Sequence, residues 1–148
     1  KVTYFVLEQL KDNNNILITG ANSDAMSSYF NEKYKTLELL YPKKIKFVKV
    51  LGKYNYFKAI KKSKFMLGNT SSGIIESASF NKWVINVGDR QKGRLRNDNI
   101  IDVPFDVDKI LDAVSEISNR KKYQGENKYA KKGTTENIIK IITQNERL

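Results

Sequence analysis

The 148 residues amount to one ordinary domain, enough to bury a single sizeable core and too few for a multidomain enzyme. With 40% hydrophobic and 11% aromatic residues the composition is globular, and 27 Lys and Arg against 16 Asp and Glu, a net charge of +11, predict a surface that attracts anions such as phosphates, nucleic acid or acidic lipid. The absence of Cys and His excludes disulfides, thiolate metal sites and thiol nucleophiles, together with the commonest general base and zinc ligand.

Val2, Phe5, Val6 and Leu10 recur at helical spacing and run into the polar turn Asp12-Asn13-Asn14-Asn15, which predicts an opening helix. Ile16 to Gly20 is a short apolar run of β-type residues, the pattern of a strand buried on both faces of a parallel sheet. Ser23 or Asp24 can cap a helix that runs toward Tyr41 and stops at Pro42. Phe47 to Leu51 reads as the second strand, Tyr54 to Lys62 as a short helix and Phe65 to Gly68 as the third strand. A helix over Ser72 to Phe80, strands at Trp83 to Gly88 and Ile100 to Val103, and an amphipathic helix over Val107 to Ile117 follow. Asn119 to Gly133 is polar and Lys-rich, predicting a surface connection to a last helix from Thr134 to Thr143.

This alternation predicts an α/β fold with a doubly wound, mostly parallel sheet, in which ligands bind outside the carboxyl ends of the strands. No apolar run approaches the ~20 residues of a membrane span, and Lys1 to Lys11 show no small-residue cleavage site behind a long apolar region, so the expectation is a cytoplasmic protein with no membrane partner. The first residue is not Met, and the chain reads as a piece of something longer.

One segment carries chemistry. Gly68-Asn69-Thr70-Ser71-Ser72-Gly73 places a run of small hydroxyls between two glycines where a strand turns into a helix. Unpaired backbone N–H groups, close approach over Gly and hydroxyl donors together suit a phosphate. A plain helix cap would need only one of the hydroxyls. The run is neither a Walker A loop nor GxGxxG. Glu76 lies one turn after Ser72, where it can accept from a ribose diol or serve as a capping-box glutamate. Arg90, on the loop after the next strand, can pair a phosphate by two parallel hydrogen bonds or be a solvated surface arginine.

The stretch Gly68 to Phe80, followed by Val84-Ile85-Asn86-Val87-Gly88-Asp89-Arg90-Gln91-Lys92-Gly93-Arg94, resembles the carboxyl-terminal domain of the hydrolysing UDP-N-acetylglucosamine 2-epimerases of sialic and related nonulosonic acid synthesis. Two motifs occur in that family's order and spacing. Gly20 to Asp24, the Leu51 to Phe57 loop and Gly133 to Ile138 extend the likeness over nearly the whole chain.

The resemblance implies the Rossmann-like half of a B-type glycosyltransferase fold. Thr70, Ser71, Ser72 and Gly73 would hold a UDP diphosphate and Glu76 the ribose. Phe57, or its neighbours Gly52 and Tyr54, would border the uracil, and Asn22 and Arg90 would complete the nucleotide contacts. On residue type alone Phe57 reads more readily as core than as a base platform, and Asn22 equally as a turn or cap residue. The implied reaction is elimination of UDP and hydration of the product to an N-acetylmannosamine-type sugar, with no nicotinamide, metal or other cofactor. The family's His after the first strand of this domain and its carboxylates on the opposite domain are absent here, which predicts that the chain alone does not turn over. The implied partners are UDP or a UDP-sugar and an amino-terminal domain of the same enzyme, with a homo-oligomer left open.

Two alternatives stand beside this reading. A donor-binding domain of a B-type glycosyltransferase would use the same loop geometry, though the Gly88 to Arg94 stretch favours the epimerase. A basic nucleic-acid-binding module is the weaker alternative, since Lys61-Lys62 and Arg120-Lys121-Lys122 read as solvated helix ends and loops. The resemblance also implies a strand ahead of the opening helix, at the centre of the sheet. The strands at Ile16 and Phe65 should then flank a slot, left unpaired with each other and filled by other residues or a partner chain.

Overall fold

The computed structural model describes residues 2–20 and 26–145. In chain order the elements are α1 (Val2–Leu10), β1 (Ile16–Thr19), α2 (Ser27–Leu40), β2 (Ile45–Val48), α3 (Gly52–Lys62), β3 (Phe65–Gly68), α4 (Ser71–Ile75), a 3-10 turn (Ser77–Phe80), β4 (Trp83–Val87), β5 (Ile100–Val103), α5 (Val107–Ser118) and α6 (Thr134–Asn145). All strand pairs are parallel, as a doubly wound α/β fold requires. The strands form two ladders, β1–β2 and β3–β4–β5.

The core explains why β4 reads as an unbroken apolar run. Ile85, fully buried, and Val87 face Ile110, Ala113, Val114 and Ile117 of α5 together with Val6 and Leu10 of α1. The opposite face of β4 receives α4, where Gly73 stands so close that a Cβ would lie 3.0 Å from Val84 Cγ1. A second, smaller cluster joins Leu7 of α1 to Leu37 of α2 and Ile45 of β2. Helix α1 therefore packs on both ladders, and Ile16 of β1 and Phe65 and Leu67 of β3 touch one and the same apolar cluster.

Although one helical layer covers both, no ladder joins β1 to β3 among the described residues. Written across the fold, the order β2-β1-slot-β3-β4-β5 is the doubly wound order 3-2-1-4-5-6 with its first position open. Among the described residues β1 and β3 do not pair with each other, as the resemblance implies.

Several boundaries differ from expectation for physical reasons. The second strand begins two residues early and ends at Val48, and Val50, which the sequence places inside it, is 78% exposed. The helix predicted over Ser72 to Phe80 is broken at Glu76. Ser77 Oγ donates to the Gly73 carbonyl at 2.6 Å, a side chain competing for a helix acceptor. The chain then tightens into i+3 bonding, with Ser79 N donating to Glu76 O, before Asn81 leaves in the left-handed region.

The segment 119–133 is more than a surface connection. Tyr123 is buried, its ring edge-on to Trp83 at 5.5 Å, while Trp83 Nε1 donates to Lys121 O at 2.8 Å and Asn81 Nδ2 to Tyr123 O at 2.9 Å. The predicted cap at Ser23 or Asp24 lies outside the described residues. Helix α6 leaves Ile138, Ile139, Ile141 and Ile142 exposed. No helix among the described residues is long and apolar enough to cross a membrane.

The open slot makes a prediction about hydrogen exchange. Ile16 N donates to Lys44 O and Gly20 N to Val48 O, so alternate amides 16, 18 and 20 face β2 and those of Leu17 and Thr19 face the slot. Leu17 and Thr19 amides should exchange rapidly in the isolated chain, while Val84 and Ile85 amides in the covered ladder exchange slowly. Equal protection of all four would show that the slot is occupied.

Candidate functional site

Parallel strands release the chain at one end, so β3 and β4 deliver the two motif loops to the same edge of their ladder. The first loop turns at Thr70, whose extended backbone and Oγ1, accepting from Ser72 N at 3.3 Å, make it the N-cap of α4. Ser71 is exposed. With Thr70 as N-cap the capping-box position falls on Gly73, so Glu76 is not a capping-box glutamate. Ser72 Oγ donates to Glu76 Oε2 one turn on and draws the carboxylate back toward the hydroxyl run.

Gly73, assigned above to the diphosphate, has a structural duty as well. Its N–H donates to Thr70 O, and its missing side chain lets α4 sit on Val84. With only five residues, α4 also carries less macrodipole than the predicted nine-residue helix would. Any anion held here is held chiefly by hydroxyls and local N–H groups.

The second loop follows β4. Gly88 turns at φ 75° with Phe105 packed where a Cβ would stand, and Asp89, Arg90 and Lys92 are exposed beyond it. Between them, buried Gln91 donates from Nε2 to the Asn69 carbonyl at 2.7 Å. That bond ties the turn bearing Arg90 to the residue before Thr70. An open groove lies beside this turn, lined in part by Gly88, Asp89, Lys92, Arg96 and Asp102. Arg96 pairs with Asp102 at 3.2 Å, and Asp102 also accepts from Asn86 Nδ2 at 2.6 Å.

The structure thus brings Thr70, Ser71, Ser72, Gly73 and Glu76 together and links them to the Arg90 turn. Gly52, Tyr54 and Phe57 sit on α3 instead, which meets the site's elements through the Phe57 and Phe80 rings, 5.3 Å apart. Tyr54 is exposed, with the Lys58 ammonium 4.6 Å over its ring. Asn22 lies outside the described residues.

Sequence reasoning missed the groups that hold α4. A five-residue helix leaves carbonyls without helical donors, and here side-chain amides supply them. Asn97 Nδ2 donates to Ile74 O at 3.1 Å and Asn127 Nδ2 to Ile75 O at 2.8 Å. Asn99 Nδ2 reaches Ser77 Oγ at 2.8 Å and Lys82 O at 2.6 Å. The available signal was the density of asparagine around the last strand and in the segment after α5. Lys82, whose Nζ donates to Ser63 O at 2.5 Å, has its pKa lowered by burial and by nearby Lys122.

Fold and site define a class, the doubly wound α/β domain with a hydroxyl-rich loop at the carboxyl ends of its strands. The family model for UDP-N-acetylglucosamine 2-epimerase matches residues 3–143, and the chain belongs to that family. It is 36% identical over 133 residues to the UDP-N,N'-diacetylbacillosamine 2-epimerase (hydrolyzing) of Legionella pneumophila, a match covering 90% of this chain and 35% of that protein. It is 44% identical over 96 residues to the GDP/UDP-N,N'-diacetylbacillosamine 2-epimerase (hydrolyzing) of Campylobacter jejuni, covering 65% of this chain and 25% of that protein. Among solved structures, the Methanocaldococcus jannaschii UDP-GlcNAc 2-epimerase in complex with UDP-GlcNAc and UDP has the same fold, with TM-score 0.71 at 16% identity over 97% of this chain and 39% of that one. The chain spans about a third or less of the length of these two sequence relatives.

The amide network predicts a stability cost. Asn97→Ala strands the Ile74 carbonyl and the Lys128 N–H that Asn97 Oδ1 accepts at 2.8 Å. Urea titration should show a loss of about 1–3 kcal/mol, and an unchanged midpoint would mean that water replaces the amide at no cost.

Proposed function

We propose that the chain is the UDP-binding, carboxyl-terminal part of a hydrolysing UDP-sugar 2-epimerase, which eliminates UDP and hydrates the product to an N-acetylmannosamine-type sugar. The observation that carries this reading is the Gln91–Asn69 bond, which ties the hydroxyl run, with Ser71 exposed and Thr70 and Ser72 half-buried, to an arginine-bearing turn at the carboxyl edge of a parallel ladder. In this reading Thr70 and Ser71 donate to the diphosphate, Ser72 joins them when its hydroxyl turns from Glu76 to the ligand, Arg90 adds a charge-assisted pair, and the Glu76 carboxylate so released accepts from the ribose. Phe57 with its neighbours Gly52 and Tyr54 borders the base, and Asn22 completes the contacts. The UDP portion then supplies binding energy that positions a sugar whose chemistry takes place on groups supplied from elsewhere.

The same reading assigns the slot between β1 and β3. A parallel strand from the remainder of the enzyme completes the sheet there, because two apolar strand edges under one helical layer are costly to leave unpaired. Membership in a family in which the matched residues cover 35% of a sequence relative supports a missing portion.

Calorimetric titration tests the site. UDP should bind more tightly than UMP, because the hydroxyl run acts on the second phosphate. A Ser71→Ala, Ser72→Ala double variant should lose about 1–3 kcal/mol of UDP binding with its circular dichroism unchanged. Equal affinity for both nucleotides, or full binding by the variant, would reduce the serines to caps. With UDP-N-acetylglucosamine the chain alone should release no UDP above background, and measurable release would locate an acid and base within these 148 residues.

A further inference from the structure

Gln91 is an anomaly of its turn. It is 4% exposed while Asp89, Arg90 and Lys92 around it are exposed. Its Nε2 donates to the Asn69 carbonyl at 2.7 Å, and its Oε1 is buried with no hydrogen-bond partner among the described residues. An apolar side chain of similar size would fill this space without stranding an oxygen, so packing alone does not account for an amide here.

What the amide adds is control of one peptide plane. The Asn69 carbonyl and the Thr70 N–H belong to the same planar unit and point to opposite sides of the chain. A donor that fixes the carbonyl therefore fixes the direction of the Thr70 N–H, at the start of the hydroxyl run. Because Gln91 follows Arg90 directly, the same bond sets the spacing between the guanidinium's turn and the hydroxyls.

We propose that Gln91 is a positioning residue for diphosphate binding, holding the Asn69–Thr70 peptide so that the hydroxyl loop and the Arg90 turn present their donors in one fixed arrangement. This rests on the nucleotide reading above and deepens it. Gln91 itself touches no ligand in this account. It acts through the Asn69 carbonyl.

The test uses the pH dependence of binding in the 148-residue chain, with UDP-N-acetylglucosamine as probe from pH 5 to pH 8. The wild-type chain has no histidine and so no side chain whose ordinary pKa falls in that window. Its affinity should be flat. Gln91→Leu should weaken binding about tenfold at every pH. Gln91→Glu should weaken it by about tenfold or more at pH 8, where the introduced carboxylate has no proton to donate and faces the carbonyl with like partial charge. Binding should recover toward the wild-type value as pH falls, because the protonated carboxyl again donates to Asn69 O, and burial raises its pKa into the window.

A Gln91→Glu profile as flat as the wild type's, or wild-type affinity in Gln91→Leu, would overturn the proposal. Should Gln91→Leu fail to fold, the Gln91→Glu profile alone decides. Failure of the wild-type chain to bind the probe at all would overturn the nucleotide reading itself, an outcome distinct from wild-type binding that ignores position 91.

Discussion

A parallel ladder sends every one of its strands out at the same end, and the site depends on that constraint. In an antiparallel arrangement the loop after β3 and the loop after β4 would emerge on opposite edges. In the parallel pairing of Phe65 with Trp83 and Gly68 with Asn86, Asn69 and Gln91 come within hydrogen-bond reach although 22 residues separate them. The ladder is held in turn by Ile85 and Val87 packing under α5 and α1. Burial of these side chains, worth roughly 1.5–3 kcal/mol each, thereby also sets the geometry of polar groups at the strand ends.

The second constraint is how short α4 is. Ending the helix at Ile75 lets the chain fold back quickly to β4, but it leaves helix carbonyls without helical donors. The side chains of Ser77, Asn97 and Asn127 take those carbonyls, which commits residues from the β4–β5 connection and from the segment beyond α5 to the back of the hydroxyl loop. The front of the loop stays open, with Ser71 exposed. The site is therefore rigid behind and accessible in front, the arrangement a binding loop needs to avoid losing affinity to its own ordering.

The strand positions were legible because parallel strands leave compact apolar runs such as Ile16 to Ile18 and Val84 to Val87 between polar turns. Strand β4 is covered on both faces as such a run implies, whereas β1 alternates and Leu17 is 44% exposed, so the expectation of burial on both faces fails there. The hydroxyl run was legible because three such residues exceed what one cap uses. The break at Glu76 was not, since Ser72 to Phe80 contains no Pro and no interior Gly past the first turn to mark it; it arises from Ser77 turning its hydroxyl onto Gly73 O. The role of segment 119–133 was hidden in the same way. Its asparagines look like solvated loop residues until the carbonyls they serve are placed beside them, and those carbonyls lie up to 52 residues away in the chain. Gln91 stood inside a recognised motif, yet its burial among charged neighbours has no trace in one sequence.

The slot between β1 and β3 and the hydroxyl loop are consequences of one topology, with the loop on the β3–β4–β5 ladder and the slot between the two ladders. The most direct test of the account is a map of backbone amide chemical shifts on titration with UDP. The account predicts that the largest changes fall on Thr70 to Gly73, Glu76 and the Arg90–Gln91 turn, with α6 unmoved. Changes confined to α2 or α6, with the Thr70 to Gly73 amides unshifted at saturation, would contradict it.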